Sequence, residues 1–136
     1  DLKVEYDVLW KDVLTVFDKD TYLDADNRRN LENYKIDTAK RKLPYWFNFK
    51  NNLIFETEIQ LPAGKTVSTL PEKLAIKQPG YSFNASYNNA GGKVLYKNEI
   101  ILNQSEIKPE SFSQWNKDIE QLTNFYNQQI VLTQKN

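Results

Sequence analysis

The sequence predicts a mainly β protein: an antiparallel β-sandwich, Ig-like in appearance, with one C-terminal amphipathic helix followed by a last strand. Three observations carry that expectation. Over residues 53–61, Leu53, Phe55, Thr57, Ile59 and Leu61 alternate with Ile54, Glu56, Glu58 and Gln60, the period-2 pattern of a strand with one face in a core and one in water. Tyr81, Phe83, Ala85 and Tyr87 alternate in the same way, as do Val94, Tyr96, Asn98, Ile100 and Leu102, and Asn88-Asn89-Ala90-Gly91-Gly92 lies between them as hairpin chemistry. Finally, Phe112, Trp115, Ile119, Leu122 and Phe125 recur at helical spacing, directly before the β-branched run of residues 129–133.

The remaining elements follow in chain order. Leu2, Val4, Tyr6, Val8 and Trp10 read as a strand, with Lys11-Asp12 as its turn. Residues 13–17 return as a second strand rather than a short helix from Asp12, because Val and Thr suit a pleated surface better than a helix. Residues 18–42 are a polar interruption long enough to require local structure. Two helical turns are expected over residues 27–34, with Leu31 and Tyr34 facing inward. Residues 45–49 form an aromatic strand, and Lys50-Asn51-Asn52 turns it into the 53–61 strand as a central hairpin. Pro62-Ala63-Gly64-Lys65 is a turn, residues 67–70 are extended, and Pro71 sits at a strand end. Residues 74–77 make a short extended piece before Gln78-Pro79-Gly80. Lys108-Pro109-Glu110 opens the helix, with proline in the first turn and an acid at the positive end of the dipole.

Composition excludes more than it assigns. The 136 residues suit one domain over residues 1–136, and seven Phe, eight Tyr and three Trp supply its core. Eighteen basic residues balance 18 acidic ones, and the two signs are interspersed. This argues against a nucleic-acid partner and against electrostatic docking to a membrane. Without Cys there is no thiolate nucleophile or thiolate metal ligand, and without His the commonest general base near neutrality is missing. No apolar run approaches the ~20 residues of a membrane span. The chain opens with neither an initiator Met nor a hydrophobic leader, so it is expected to be a domain excised from a larger protein.

Each cluster of chemistry-bearing side chains also has an ordinary structural role. Asp18, Asp20, Asp24 and Asp26 suggest calcium, but neither Asp18 nor Asp24 starts an EF-hand register, so they are expected to lie in a solvated loop. Glu56 and Glu58 stand two residues apart on one strand face, a spacing that paired carboxylates use in glycoside hydrolysis, yet alternating Glu is the usual solvent face of a strand. Arg28-Arg29 and Lys40-Arg41-Lys42 read as solvated surface. Tyr45, Phe47 and Phe49 share one strand face and read as core, while Trp46 points the other way. No catalytic, cofactor-binding or metal-binding residue and no cofactor is assigned. The candidate contact residues are Arg41, Tyr45 and Trp46.

Five motifs occur together in order: Arg41-Lys42-Leu43-Pro44; the Leu-Pro to Leu-Pro stretch of residues 61–71, with Gly64 and Val67 between; the Tyr/Phe strand with its Asn/Gly turn; Pro109 followed three residues later by Phe112; and Tyr126 before Ile130-Val131-Leu132. This set resembles the C-terminal accessory domain of bacterial, Bacteroides-type transglutaminase-like proteins, a domain of unknown function. The resemblance implies a non-catalytic β-sandwich beside a papain-fold catalytic domain in the same polypeptide, which carries the family's catalytic Cys, His and Asp. It also implies a periplasmic, cell-surface or secreted location. A free-standing glycan- or peptide-binding module is the alternative.

Overall fold

The computed structural model describes residues 11, 13–48 and 50–135. Its elements are β1 (Leu14–Phe17), β2 (Asp20–Leu23), β3 (Tyr45–Trp46), β4 (Asn51–Gln60), β5 (Lys65–Thr69), β6 (Leu74–Gln78), β7 (Tyr81–Asn89), β8 (Lys93–Leu102), β9 (Glu106–Ile107), α1 (Phe112–Tyr126) and β10 (Ile130–Gln134). The protein is mainly β and its strand pairs are antiparallel, with one C-terminal helix followed by a final strand. Among the described residues, no helix is long and apolar enough to cross a membrane.

The larger sheet runs β4-β8-β7-β6. Its longest ladder pairs β4 with β8 over ten rungs, from Asn51 opposite Leu102 to Gln60 opposite Lys93. Along β4 the alternation is strict, with odd positions half-buried and even ones exposed. On the inner face stand Leu53, Val94, Tyr96, Ile100, Leu102, Phe83 and Ile76. The β7–β8 hairpin closes where Ala90 N donates to Lys93 O at 2.8 Å. Gly91 and Gly92 supply the positive φ values of 56° and 89° that this turn requires.

The layer facing that surface is composite. Helix α1 covers one part of it, burying Phe112, Trp115, Ile119, Leu122 and Phe125 against β6, β7 and β8. The smaller sheet, in the order β1-β2-β10-β5, covers the end around Val94 and Ile59 with Ile130, Leu132 and Val67. Tyr87 packs against both clusters. Trp115 is fully buried, with ring centroids of Tyr81 at 4.9 Å, Phe47 at 5.5 Å and Phe83 at 5.8 Å. Burial of such a ring removes roughly 150–250 Å² from water, worth on the order of 4–6 kcal/mol before the entropy of ordering it.

Three expectations are corrected. The aromatic strand and β4 do not form a hairpin: β3 pairs with β9, placing Tyr45 opposite Ile107. Asn51 and Asn52 are the first rungs of β4, because β8 is ten residues long and its ladder extends through them. Residues 27–34 form turns in place of helix, since Arg29 and Leu31 have φ of 43° and 66°, in the left-handed region that ends a helix. The polar interruption also holds β2, whose Thr21 is buried opposite Leu132. The strand expected over residues 2–10, and Phe49, lie outside the described residues.

Candidate functional site

The candidate contact residues sit on a strap, residues 30–44, that crosses α1 and leads into β3. A chain segment without a ladder must place its polar backbone groups elsewhere, and here the helix side chains take them. Asn116 brackets Ile36, accepting from its N–H at 2.7 Å and donating to its carbonyl at 2.8 Å. Trp115 Nε1 donates to Tyr34 O at 2.7 Å, Thr123 Oγ1 to Glu32 O at 3.2 Å and Tyr126 Oη to Asn30 O at 3.0 Å. With Ile36 buried between these anchors, the strap is held along most of its length.

Beyond Ile36 the strap turns back on itself. Arg41 N donates to Asp37 O at 2.9 Å, and Asp37 Oδ1 accepts from the N–H groups of Ala39 and Lys40. Lys42 Nζ donates to Thr38 O at 3.1 Å and Arg41 Nη1 to Pro44 O at 3.1 Å. The Arg41 guanidinium lies 5.2 Å from the Tyr45 ring centroid, a cation–π distance. Tyr45 meets Phe47 edge-on at 5.3 Å, and Phe47 meets Trp115 at 5.5 Å. A line of rings therefore runs from the core to the surface and ends under Arg41. Trp46 turns outward and is 65% exposed.

Two grooves flank β3. One, of about 570 Å³, is lined by Lys35, Asp37, Lys40, Arg41, Leu43 and Tyr45, among others. The other, of about 340 Å³, has Tyr34, Tyr45, Trp46 and Asn48 in its wall. Lys35 pairs with Glu120 at 3.4 Å and Lys40 with Asp37 at 3.6 Å. Arg41 and Lys42 donate to backbone carbonyls. The chemistry on offer is recognition, through cations, aromatic faces and an exposed Leu43.

Several other acidic residues have structural partners. Glu56 and Glu58 stand on the open face of the large sheet, paired with Lys97 at 3.1 Å and Lys93 at 2.8 Å. These are cross-strand ion pairs on a solvated surface. Asp26 departs from the solvated-loop expectation, for it is buried beneath Tyr96 and Asn98. It accepts from the backbone N–H groups of Arg28 and Arg29 at 3.0 and 3.1 Å, from Asn98 Nδ2 at 3.1 Å and from the Tyr96 hydroxyl. Burial first, then that bond to Asp26, pushes the Tyr96 phenol above its ordinary range.

Arg29 likewise departs from the expected solvated surface. It grips Glu32 with two nitrogens at 2.6 and 2.7 Å and donates to Tyr126 O at 3.0 Å, tying the strap's start to the end of α1. The Arg29 guanidinium holds the Glu32 carboxyl below the usual carboxylate range. Asp118, on the buried face of α1, accepts from Tyr81 Oη at 2.7 Å, Gln114 at 2.9 Å and Gln78 at 3.0 Å. Among the described residues, no three acidic side chains converge as a metal-ligand set.

Residues 19–132 match the model of the family described as "Domain of Unknown Function with solved-structure structure", DUF3858. The chain belongs to this family. The DUF3858 match runs from the β1–β2 turn into β10, so it includes the β4-β8-β7-β6 sheet, most of the smaller sheet without β1, the strap, α1 and all three candidate contact residues. A crystal structure of a candidate protease from Parabacteroides distasonis matches 89% of this chain with a TM-score of 0.62 at 15% identity, a likeness of fold. The chain spans 22% of the length of that protein. No curated protein matches.

Proposed function

We propose that this DUF3858 domain is a non-catalytic accessory domain that docks against, and positions, a transglutaminase-like catalytic domain of papain fold in a longer polypeptide. The polypeptide would act in the periplasm or at the surface of a Bacteroides-type bacterium. The observation that carries this reading is the recurrence of the fold as 22% of a far longer chain described as a candidate protease. The absence of both Cys and His from the sequence supports it, since a papain-type site needs both and would have to lie elsewhere in the polypeptide.

The test is to read the parent open reading frame and then express it with and without residues 19–132. A Cys- and His-bearing domain upstream is expected, with hydrolytic or acyl-transfer activity confined to it and weakened when residues 19–132 are deleted. A parent without such a domain would end this reading. Exposure of Trp46 beside two grooves favours one alternative, a free-standing glycan- or peptide-binding module. Binding on a glycan array that disappears with Trp46→Ala, while the fold persists, would support that alternative.

A further inference from the structure

We propose that the basic groove of the strap is a docking surface for an extended acidic polypeptide segment carrying an apolar side chain, supplied by a neighbouring domain of the same polypeptide. That source rests on the accessory-domain reading; the chemistry of recognition rests on the groove itself.

Charge is the first argument. The sequence balances 18 cations against 18 anions, yet residues 35–42 hold Lys35, Lys40, Arg41 and Lys42 with Asp37 as their one acid. Within that stretch Lys35 and Lys40 already face carboxylates, whereas Arg41 and Lys42 reach backbone carbonyls. A carbonyl dipole leaves a cation's charge uncompensated, and with one Arg41 nitrogen engaged by Pro44 the rest of the guanidinium fork remains to take a carboxylate.

Apolar exposure is the second argument. Leu43 is 74% exposed and Trp46 is 65% exposed, three residues apart and within five of the two cations. A carboxylate beside an aliphatic or aromatic side chain matches that alternation. An anionic glycan would satisfy the cations but leave Leu43 uncovered, and a nucleic acid needs a longer row of cations than one turn provides.

Preorganisation is the third argument. Asn116, Trp115 and the Asp37 turn hold the strap backbone, and stacking on Tyr45 orients Arg41 before any ligand arrives. Little ordering entropy is then left to oppose binding.

The test uses the 136-residue chain, isotope-labelled for NMR. The probe is a capped pentapeptide with two glutamates on either side of a phenylalanine. Saturable shifts confined to residues 35–46 are expected at roughly millimolar peptide, the weak end of specific affinity. The Arg41→Glu, Lys42→Glu double variant is expected to weaken binding at least about tenfold, on the scale of one lost charge-assisted contact. Replacing the central phenylalanine by alanine, or Leu43 by serine, is expected to weaken it severalfold. Unchanged shifts at the Trp115 indole would show that the variants are folded.

Four results would each overturn the proposal: no shifts at millimolar peptide, shifts centred elsewhere, equal binding of the lysine analogue, or binding indifferent to the charge reversal. Equal or tighter binding of a galacturonate oligomer at the same residues would overturn it in favour of a sugar site. Reading the parent open reading frame for a catalytic domain does not involve this groove, so either idea can fail alone. A parent lacking a catalytic domain leaves the peptide result standing, and a silent groove leaves the accessory role standing.

Discussion

At the scale of single residues, the polar groups that matter most are those that apolar periodicity does not register. Asp26 sits in a stretch of alternating acids whose sequence pattern is that of solvent-exposed loop. Its burial is set by partners some 70 residues away, Tyr96 and Asn98 on β8, which no local pattern connects to it. The apolar stripe from Phe112 to Phe125 was legible because a helix repeats its own face; Asp118, on the same face, was not. Replacement of Asp26 by alanine would take the acceptor from the Tyr96 hydroxyl, from one N–H of the Asn98 amide and from two backbone N–H groups. With unsatisfied buried groups costing about 1–3 kcal/mol each and partly relaxing, a loss of about 3 kcal/mol or more is expected. Asp20→Ala, by contrast, removes a partly exposed side chain of the same charge, and a change within about 0.5 kcal/mol is expected. Urea unfolding of the two variants checks this through the shift in midpoint at constant slope. Equal midpoints would mean that Asp26 is not the hub its contacts describe.

At the scale of elements, the sequence identified strands that carry their own signal and failed where a partner decides. The β7–β8 hairpin has alternation on both arms and glycines at the turn, so its position followed from local chemistry. The pairing of β3 with β9 could not be foreseen, because two residues of strand carry no register of their own. The helical turns expected at residues 27–34 lose to tertiary bonds that tie Arg29 and the Asn30 carbonyl to Tyr126 at the end of α1. The same principle makes the strap depend on one amide. Asn116→Ala removes both bonds to Ile36 and leaves a buried N–H and carbonyl to find new partners, at an expected cost of about 1–3 kcal/mol. Hydrogen exchange locates that effect. The Ile36 amide is expected to exchange far faster in the variant, while amides in the middle of α1 hasten only in proportion to the global loss. Uniform change across both would show that strap and helix open together, and that Asn116 is not a separate clasp.

At the scale of the whole molecule, the composite layer over the large sheet has one aromatic joint. Tyr87 stacks on Tyr96 at 4.5 Å and on Phe125 at 5.7 Å, and it also packs against the cluster that holds the smaller sheet. Burial above all raises the phenols of Tyr81, Tyr87 and Tyr96, and it pushes Tyr126 up to about 12 from an ordinary 10.0. A phenol loses its proton to become an anion, so a raised value in the folded state means that the fold prefers the protonated form. The stabilisation is therefore fully present below pH 10 and lost as pH rises towards 12 and beyond. Tyr96 adds a specific reason, because its phenolate would face the Asp26 carboxylate across a bond that has lost its proton. Alkaline titration is thus expected to leave near-ultraviolet circular dichroism intact up to about pH 10. Above that, dichroism should collapse in a single step together with the late tyrosinate absorbance, since the four phenols lie in one contiguous core. Late tyrosinate absorbance with dichroism still native at pH 12 would contradict this, because it would mean that these rings ionise inside an intact fold. Two separated steps would instead show that the helix-covered part of the sheet and the end under β10 come apart independently, with Tyr87 failing to couple them.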